Sequence, residues 1–103
     1  MKKIINSKRY DTTTANQIAE WTNGEFTTDF YYTEETLYKT DKGAFFLHGK
    51  GGPASKYAKS NGNSTWGSQD INPMTPEEAQ SWLEDHGFAD EIEQGFPENV
   101  QDA

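Results

Sequence analysis

The segment Thr75–Gly87, "TPEEAQSWLEDHG", fixes one element before anything else is known about the chain. Thr75 is suited to cap a helix start, Pro76 to occupy its first turn, and Glu78 to close a capping box with Thr75. Gly87 marks the stop. Within those limits Ala79, Trp82, Leu83 and His86 recur on a period of 3.6 and form one apolar stripe. A helix with a single apolar stripe needs a second layer to cover it, and the rest of the chain must supply that layer.

The material for the layer is unusual. Leu, Ile and Val total nine residues, whereas Phe, Tyr and Trp total fourteen, and mean hydropathy is −0.99. A large ring can bury about 150–250 Å², so the core of this 103-residue domain is expected to be aromatic rather than aliphatic. "KKIIN" reads as a short strand and "SKRY" as a turn. "DTTTANQIAEWTNG", residues 11–24, reads as a helix, with Asp11 or a threonine as cap, Ala15, Ile18, Ala19 and Trp21 or Thr22 as apolar face, and Asn23-Gly24 as stop. Residues 26–49 read as strands, with "DKG" as a hairpin turn that places Gly43 in the left-handed region. Residues 58–70 read as a polar loop pinned by Trp66. Phe88, Ile92 and Phe96 recur four apart and indicate one more short helix. The resulting expectation is a single α+β domain over residues 1–96, a short antiparallel sheet with a central hairpin packed by two or three helices, followed by a disordered tail at 97–103.

Two candidate sites invite chemistry. "FFLHGKGGPASKY", residues 45–57, sets His48 and Lys50 among glycines, but it lacks the G-x-x-x-x-G-K-[ST] spacing of a phosphate-cradling loop. It is read as a strand end and turn. The two histidines, His48 and His86, show no metal-binding spacing and are read as packed or capping residues, so no metal, cofactor or catalytic residue is expected. With no cysteine, no apolar run near the roughly 20 residues of a membrane span, and no signal-like start, a soluble cytoplasmic protein is expected.

Charge is the other strong signal. Residues 1–59 hold all nine Lys and Arg with seven acids, a net of +2, whereas residues 60–103 hold ten acids and no Lys or Arg, a net of −10. Such a half repels phosphates, so direct nucleic-acid binding by it is not expected, and it attracts a basic partner instead. The candidate partner-binding residues are Glu77, Glu78, Glu84, Asp85, Asp90, Glu91 and Glu93, with Phe30, Tyr31 and Tyr32 as aromatic contacts.

The strings "KKIINSKRYDTTTA", "EETLYKTDKGAFFLHGKGGPASKYA" and "W-G-x-x-x-I-x-P-M-T-x-E-E-A-x-x-W" together resemble a family of small acidic proteins carried by phages and conjugative elements of Gram-positive bacteria. The likeness runs from about residue 2 to residue 86. Some small proteins of such mobile genetic elements are anti-CRISPR proteins against type II RNA-guided nucleases. The resemblance therefore implies a non-enzymatic inhibitor in a bacterial host, one that occupies a basic groove of the nuclease or its guide-RNA complex and keeps DNA or guide RNA out. The alternatives are an anti-restriction or adaptor protein with another basic partner, or a small enzyme using Lys50 and His48 on a phosphate ester or guide RNA.

Overall fold

A computed structural model describes all residues, Met1–Ala103. Its centre is a four-stranded antiparallel sheet in the order β3-β4-β5-β8, made of Asn16–Thr22, Thr33–Lys39, Phe45–Gly51 and Ser68–Met74. A hairpin of β1 (Lys2–Ile5) and β2 (Lys8–Asp11) covers one face, and helices α1 (Pro76–Asp85) and α2 (Ala89–Gly95) cover the other. Two short strands, β6 (Lys59–Ser60) and β7 (Thr65–Trp66), pair with each other in the connection to β8.

The period of two along β4 and β5 creates two cores. Leu37, Phe45 and Leu47 face the helices and meet Ala79, Trp82, Leu83 and Ile92. Phe46 faces the hairpin and joins Tyr10 and Ile71. The rings order themselves by their quadrupoles: Tyr38 stacks on Phe46 at 5.1 Å, Tyr10 meets Phe46 edge-on at 5.7 Å, and Phe45 stacks on Phe96 at 5.5 Å. The small α+β domain, the β4–β5 hairpin and both C-terminal helices agree with the sequence reading. The core, however, is not aromatic rather than aliphatic. On the helix side Ala19, Leu37, Leu47, Ala79, Leu83 and Ile92 outnumber Phe45 and Trp82, and the other rings lie on the hairpin side or at the margins. Thr75 Oγ1 accepts the Glu78 N–H and Glu78 Oε1 accepts the Thr75 N–H, so the capping box is complete. Gly43 (φ +89°) and Gly87 (φ +79°) hold the left-handed positions their turns require.

Other assignments are corrected. The segment expected as a helix over 11–24 is mostly strand β3. A β-bulge between Gln17 and Ala19 puts the neighbours Ile18 and Ala19 against the same helix-facing core as Trp21, which breaks the period of two and imitates helical spacing. Asp11 does not cap a helix. Its Oδ1 accepts the Thr13 N–H and hydroxyl and closes the turn after β2. The first hairpin turn lies at Asn6-Ser7, and "KRY" belongs to β2. Residues 26–32 are loop rather than strand, held by the Tyr31 N–H on Asp29 Oδ1 and by Asn23 Nδ2 on the Tyr31 carbonyl. Ser68–Met74, partly read as loop, is an edge strand that tolerates Pro73, and Trp66 pins nothing, being 44% exposed. In the stretch expected as tail, Pro97–Asn99 form a 3₁₀ turn tied to α1 by the Asn99 Nδ2 to Gln80 Oε1 bond of 2.9 Å.

Candidate functional site

The acidic residues lie where their helices present them to solvent. Glu77, Glu78, Glu84, Asp85, Asp90 and Glu93 are exposed and Glu91 is half-buried. None forms an ion pair, because every salt bridge in the protein involves other carboxylates, namely Asp70, Glu34 and Glu35. The seven do not form one continuous patch. Glu77, Glu78 and Asp85 line one shallow depression with Met74 and Trp82, Glu84 and Glu93 line a second with Asn99, and Glu91 borders a third beside Lys39 and Phe45. Glu77 and Glu78 sit in the first turn of α1, where the helix dipole favours them. Glu84 and Asp85 sit in its last turn, which carries no base, and there each anion costs about 0.3–1 kcal/mol.

The aromatic candidates separate. Phe30 and Tyr31 are 67% and 66% exposed and are joined by Phe26 at 85%, which sequence reasoning missed. Their loop backbone is nonetheless anchored, since the Ala54 N–H donates to the Phe30 carbonyl and the Gly52 N–H to the Tyr32 carbonyl. Tyr32 is not a surface contact. It is buried, and its hydroxyl donates to Glu34, a bond that pushes the phenol up to about 12. The last turn of α1 lies at the same end of the molecule as this loop, for the His86 ring packs 4.5 Å from Trp21, near the end of β3 that leads into it.

The glycine-rich stretch continues the central strand rather than ending it. β5 runs to Gly51, and Gly49 pairs with Glu35 on one side and Asp70 on the other. None of Gly49, Gly51 and Gly52 has positive φ. They are glycines because other groups occupy the space a side chain would fill. A Cβ on Gly51 would lie 2.5 Å from the Tyr32 carbonyl oxygen, and one on Gly52 would lie 2.6 Å from those of Asp29 and Phe30. A Cβ on Gly49 would fall 1.8 Å from Cζ of Tyr57. Lys50 Nζ stands 3.6 Å from Glu34, and a ring nitrogen of His48 stands 2.7 Å from Gln69 Oε1, so both of the residues considered for catalysis already have partners.

The most elaborate polar cluster escaped sequence reasoning. Glu35, 1% exposed, accepts hydrogen bonds from the Tyr57 hydroxyl, from Trp82 Nε1 at 3.0 Å and from Lys56 Nζ at 2.6 Å, with His86 Nε2 at 3.8 Å. Burial pushes the Glu35 carboxyl up, but the bonds from Lys56, Tyr57 and Trp82 outweigh it and hold the carboxyl below its ordinary range. Burial and the Glu35 carboxylate push the Tyr57 phenol far above its ordinary value. One signal pointed here: a buried indole N–H needs an acceptor, and Trp82 was assigned to the core. At this depth the carboxylate meets no substrate. It ties β4, the 56–57 loop and α1 together. His86, expected to be packed or capping, is both, its ring packed at a tilt between Trp21 and Trp82 and its backbone N–H ending α1 on the Trp82 carbonyl.

No three His, Cys, Asp or Glu side chains gather closely enough to hold a metal ion, and no helix is long and apolar enough to cross a membrane. Comparison of the chain with protein-family models, curated proteins and solved structures finds no match.

Proposed function

We propose that this protein is an anti-CRISPR-type inhibitor that docks its acidic helical layer in a basic groove of a type II RNA-guided nuclease and excludes nucleic acid. The observation that carries the reading is that the acidic residues of α1 and α2, spread over three depressions, have no ion-pair partner, with Glu84 and Asp85 placed where they oppose the helix dipole. Two anions that oppose the dipole at the end of their helix, with no base beside them, suit a partner that supplies the positive charge. Phe26, Phe30 and Tyr31 supply apolar contacts on a loop whose backbone is already hydrogen-bonded, so little backbone entropy is lost there on docking. Their loop adds Glu25 and Asp29, extending the negative surface toward the end of the molecule where α1 stops.

The direct test is cleavage by a purified, guide-loaded type II nuclease with the protein added before or after target DNA. Inhibition is expected when the protein is added first and loss of inhibition when DNA is bound first. Inhibition independent of the order of addition would reject competition for a nucleic-acid groove. Absence of inhibition, combined with capture of a different basic protein from a host lysate, would favour the adaptor or anti-restriction alternative.

A further inference from the structure

At the far end of the sheet, on the face opposite the acidic helices, the β1–β2 hairpin and the β4–β5 turn enclose a cleft of about 580 Å³. Lys8 and Arg9 from β2 and Lys42 from the turn line it, together with Ser7, Thr14 and Thr40. No carboxylate forms a salt bridge with any of the three cations. The two acids of the cleft accept hydrogen bonds from neutral donors, Asp11 from the N–H and hydroxyl of Thr13 and Asp41 from Asn16 Nδ2 at 3.1 Å. Three cations without a salt-bridge partner, drawn from two elements, face two carboxylates in the same lining, so the recess carries a net charge of +1 in a chain of net charge −8.

The hairpin turn adds an independent observation. Asn6 and Ser7 both have positive φ, 51° and 65°, as a two-residue turn of this hand demands. Glycine is the residue that holds the second position at least cost. Serine stands there instead, and Ser7 lines the cleft. A strained position that keeps a hydroxyl beside Lys8 and Arg9 suits recognition of an oxyanion.

We propose that this cleft binds a phosphate-bearing ligand, its phosphate held by Lys8, Arg9 and Lys42 with the Ser7 hydroxyl. The guanidinium fork matches phosphate geometry, and the volume lies within the roughly 300–1,000 Å³ of small-ligand sites. The overall negative charge disfavours a long duplex, so the ligand is a nucleotide-sized molecule or the phosphorylated end of a single strand. This site is separate from the acidic helical layer and does not depend on that layer's proposed role.

Amide resonances would be followed by NMR at low salt while adding inorganic phosphate, adenosine monophosphate or a 5′-phosphorylated single-stranded RNA decamer. Saturable shifts confined to residues 7–11, 14–15 and 40–44 are expected. Tightest binding by the monophosphate would identify a small ligand, and tightest binding by the decamer would identify a strand end. Combining Lys8→Ala, Arg9→Ala and Lys42→Ala should weaken binding at least about tenfold, the loss of roughly one charge-assisted contact. Ser7→Gly should raise the melting temperature yet weaken binding, a pair of effects that a purely structural turn would not give. If the triple variant misfolds, Lys42→Glu alone, in the exposed turn, must abolish the shifts. Failure of all three probes to shift these residues, or unchanged binding in the folded variants, would overturn the assignment.

Discussion

Gly49→Ala is the substitution whose outcome the structure determines most sharply. Inside a strand, alanine is ordinarily favoured over glycine by about 0.5–1 kcal/mol because it loses less backbone freedom on folding. Gly49 has no positive φ to argue otherwise. Its new Cβ, however, would lie 1.8 Å from Cζ, 2.0 Å from the hydroxyl oxygen and 2.3 Å from Cε1 of Tyr57. The ring is the far end of its side chain, but it is not free to swing, because its hydroxyl is bonded to Glu35. Displacing it forfeits a hydrogen bond to a buried charge, about 1.5–3 kcal/mol, and strains a packed site by about 1–3 kcal/mol. Less the backbone gain, the net loss is about 2–5 kcal/mol. Chemical denaturation checks the value, and a double-mutant cycle checks the cause. In a Tyr57→Ala background the same substitution should be neutral or slightly stabilising, giving a coupling of at least about 2 kcal/mol. An equal loss in both backgrounds would refute the claim that Gly49 exists to admit the Tyr57 ring.

Four further outcomes follow from the Glu35 cluster, the α1 cap and the exposed aromatic loop. Because the folded Glu35 carboxyl titrates below its unfolded value, near 4.5, its stabilising contribution is complete above that pH and is lost as pH falls through the depressed folded value; Glu35→Gln should lower stability at neutral pH and flatten this acid limb in a pH series of melting curves. Trp82→Phe keeps a ring in the core but removes the Nε1 donor and should cost about 1–3 kcal/mol, while Thr75→Ala should cost about 1 kcal/mol through the lost cap, both read by denaturant titration. Replacing Phe30 and Tyr31 together by Ser should leave the melting temperature nearly unchanged and, if they contact the partner, speed dissociation from the captured nuclease.

How much of this was legible in the sequence depended on how local the determining physics is. The capping box of α1, Gly43 in its hairpin and the stop at Gly87 follow from short-range chemistry, and each was readable. The strand Asn16–Thr22 was not, because a bulge put Ile18 and Ala19 on one side and copied a helical pattern. The loop 26–32 was misread because aromatic β-propensity reflects half-buried packing, whereas Phe26, Phe30 and Tyr31 point to water. Exposure of the acids on α1 was predictable from their position opposite Trp82 and Leu83. The Glu35 cluster was not, since its acceptor and the Trp82 donor stand 47 positions apart, His86 lies farther still, and nothing near Glu35 marks it as buried. The cleft lined by Lys8, Arg9 and Lys42 was equally hidden, being assembled by two turns that meet only in the fold.

The central claim is that the acidic helical layer carries the inhibition, and reversing its charge tests it most directly. Replacing Glu77, Glu84 and Asp85 by Lys changes the net charge from −8 to −2, six units for three residues. All three are exposed and unpaired, and none supports the capping box. Lysine at 84 and 85 complements the helix C-terminus by about 0.3–1 kcal/mol each, which offsets the similar loss at 77, so the fold should persist. Association with a guide-loaded type II nuclease, measured by surface plasmon resonance from low to physiological salt, should be slower for this variant and lose the steep salt dependence expected of the parent. A variant that associates as fast as the parent at every salt concentration, and inhibits cleavage at the parental concentration, would contradict the claim and leave the acids as a solvated surface.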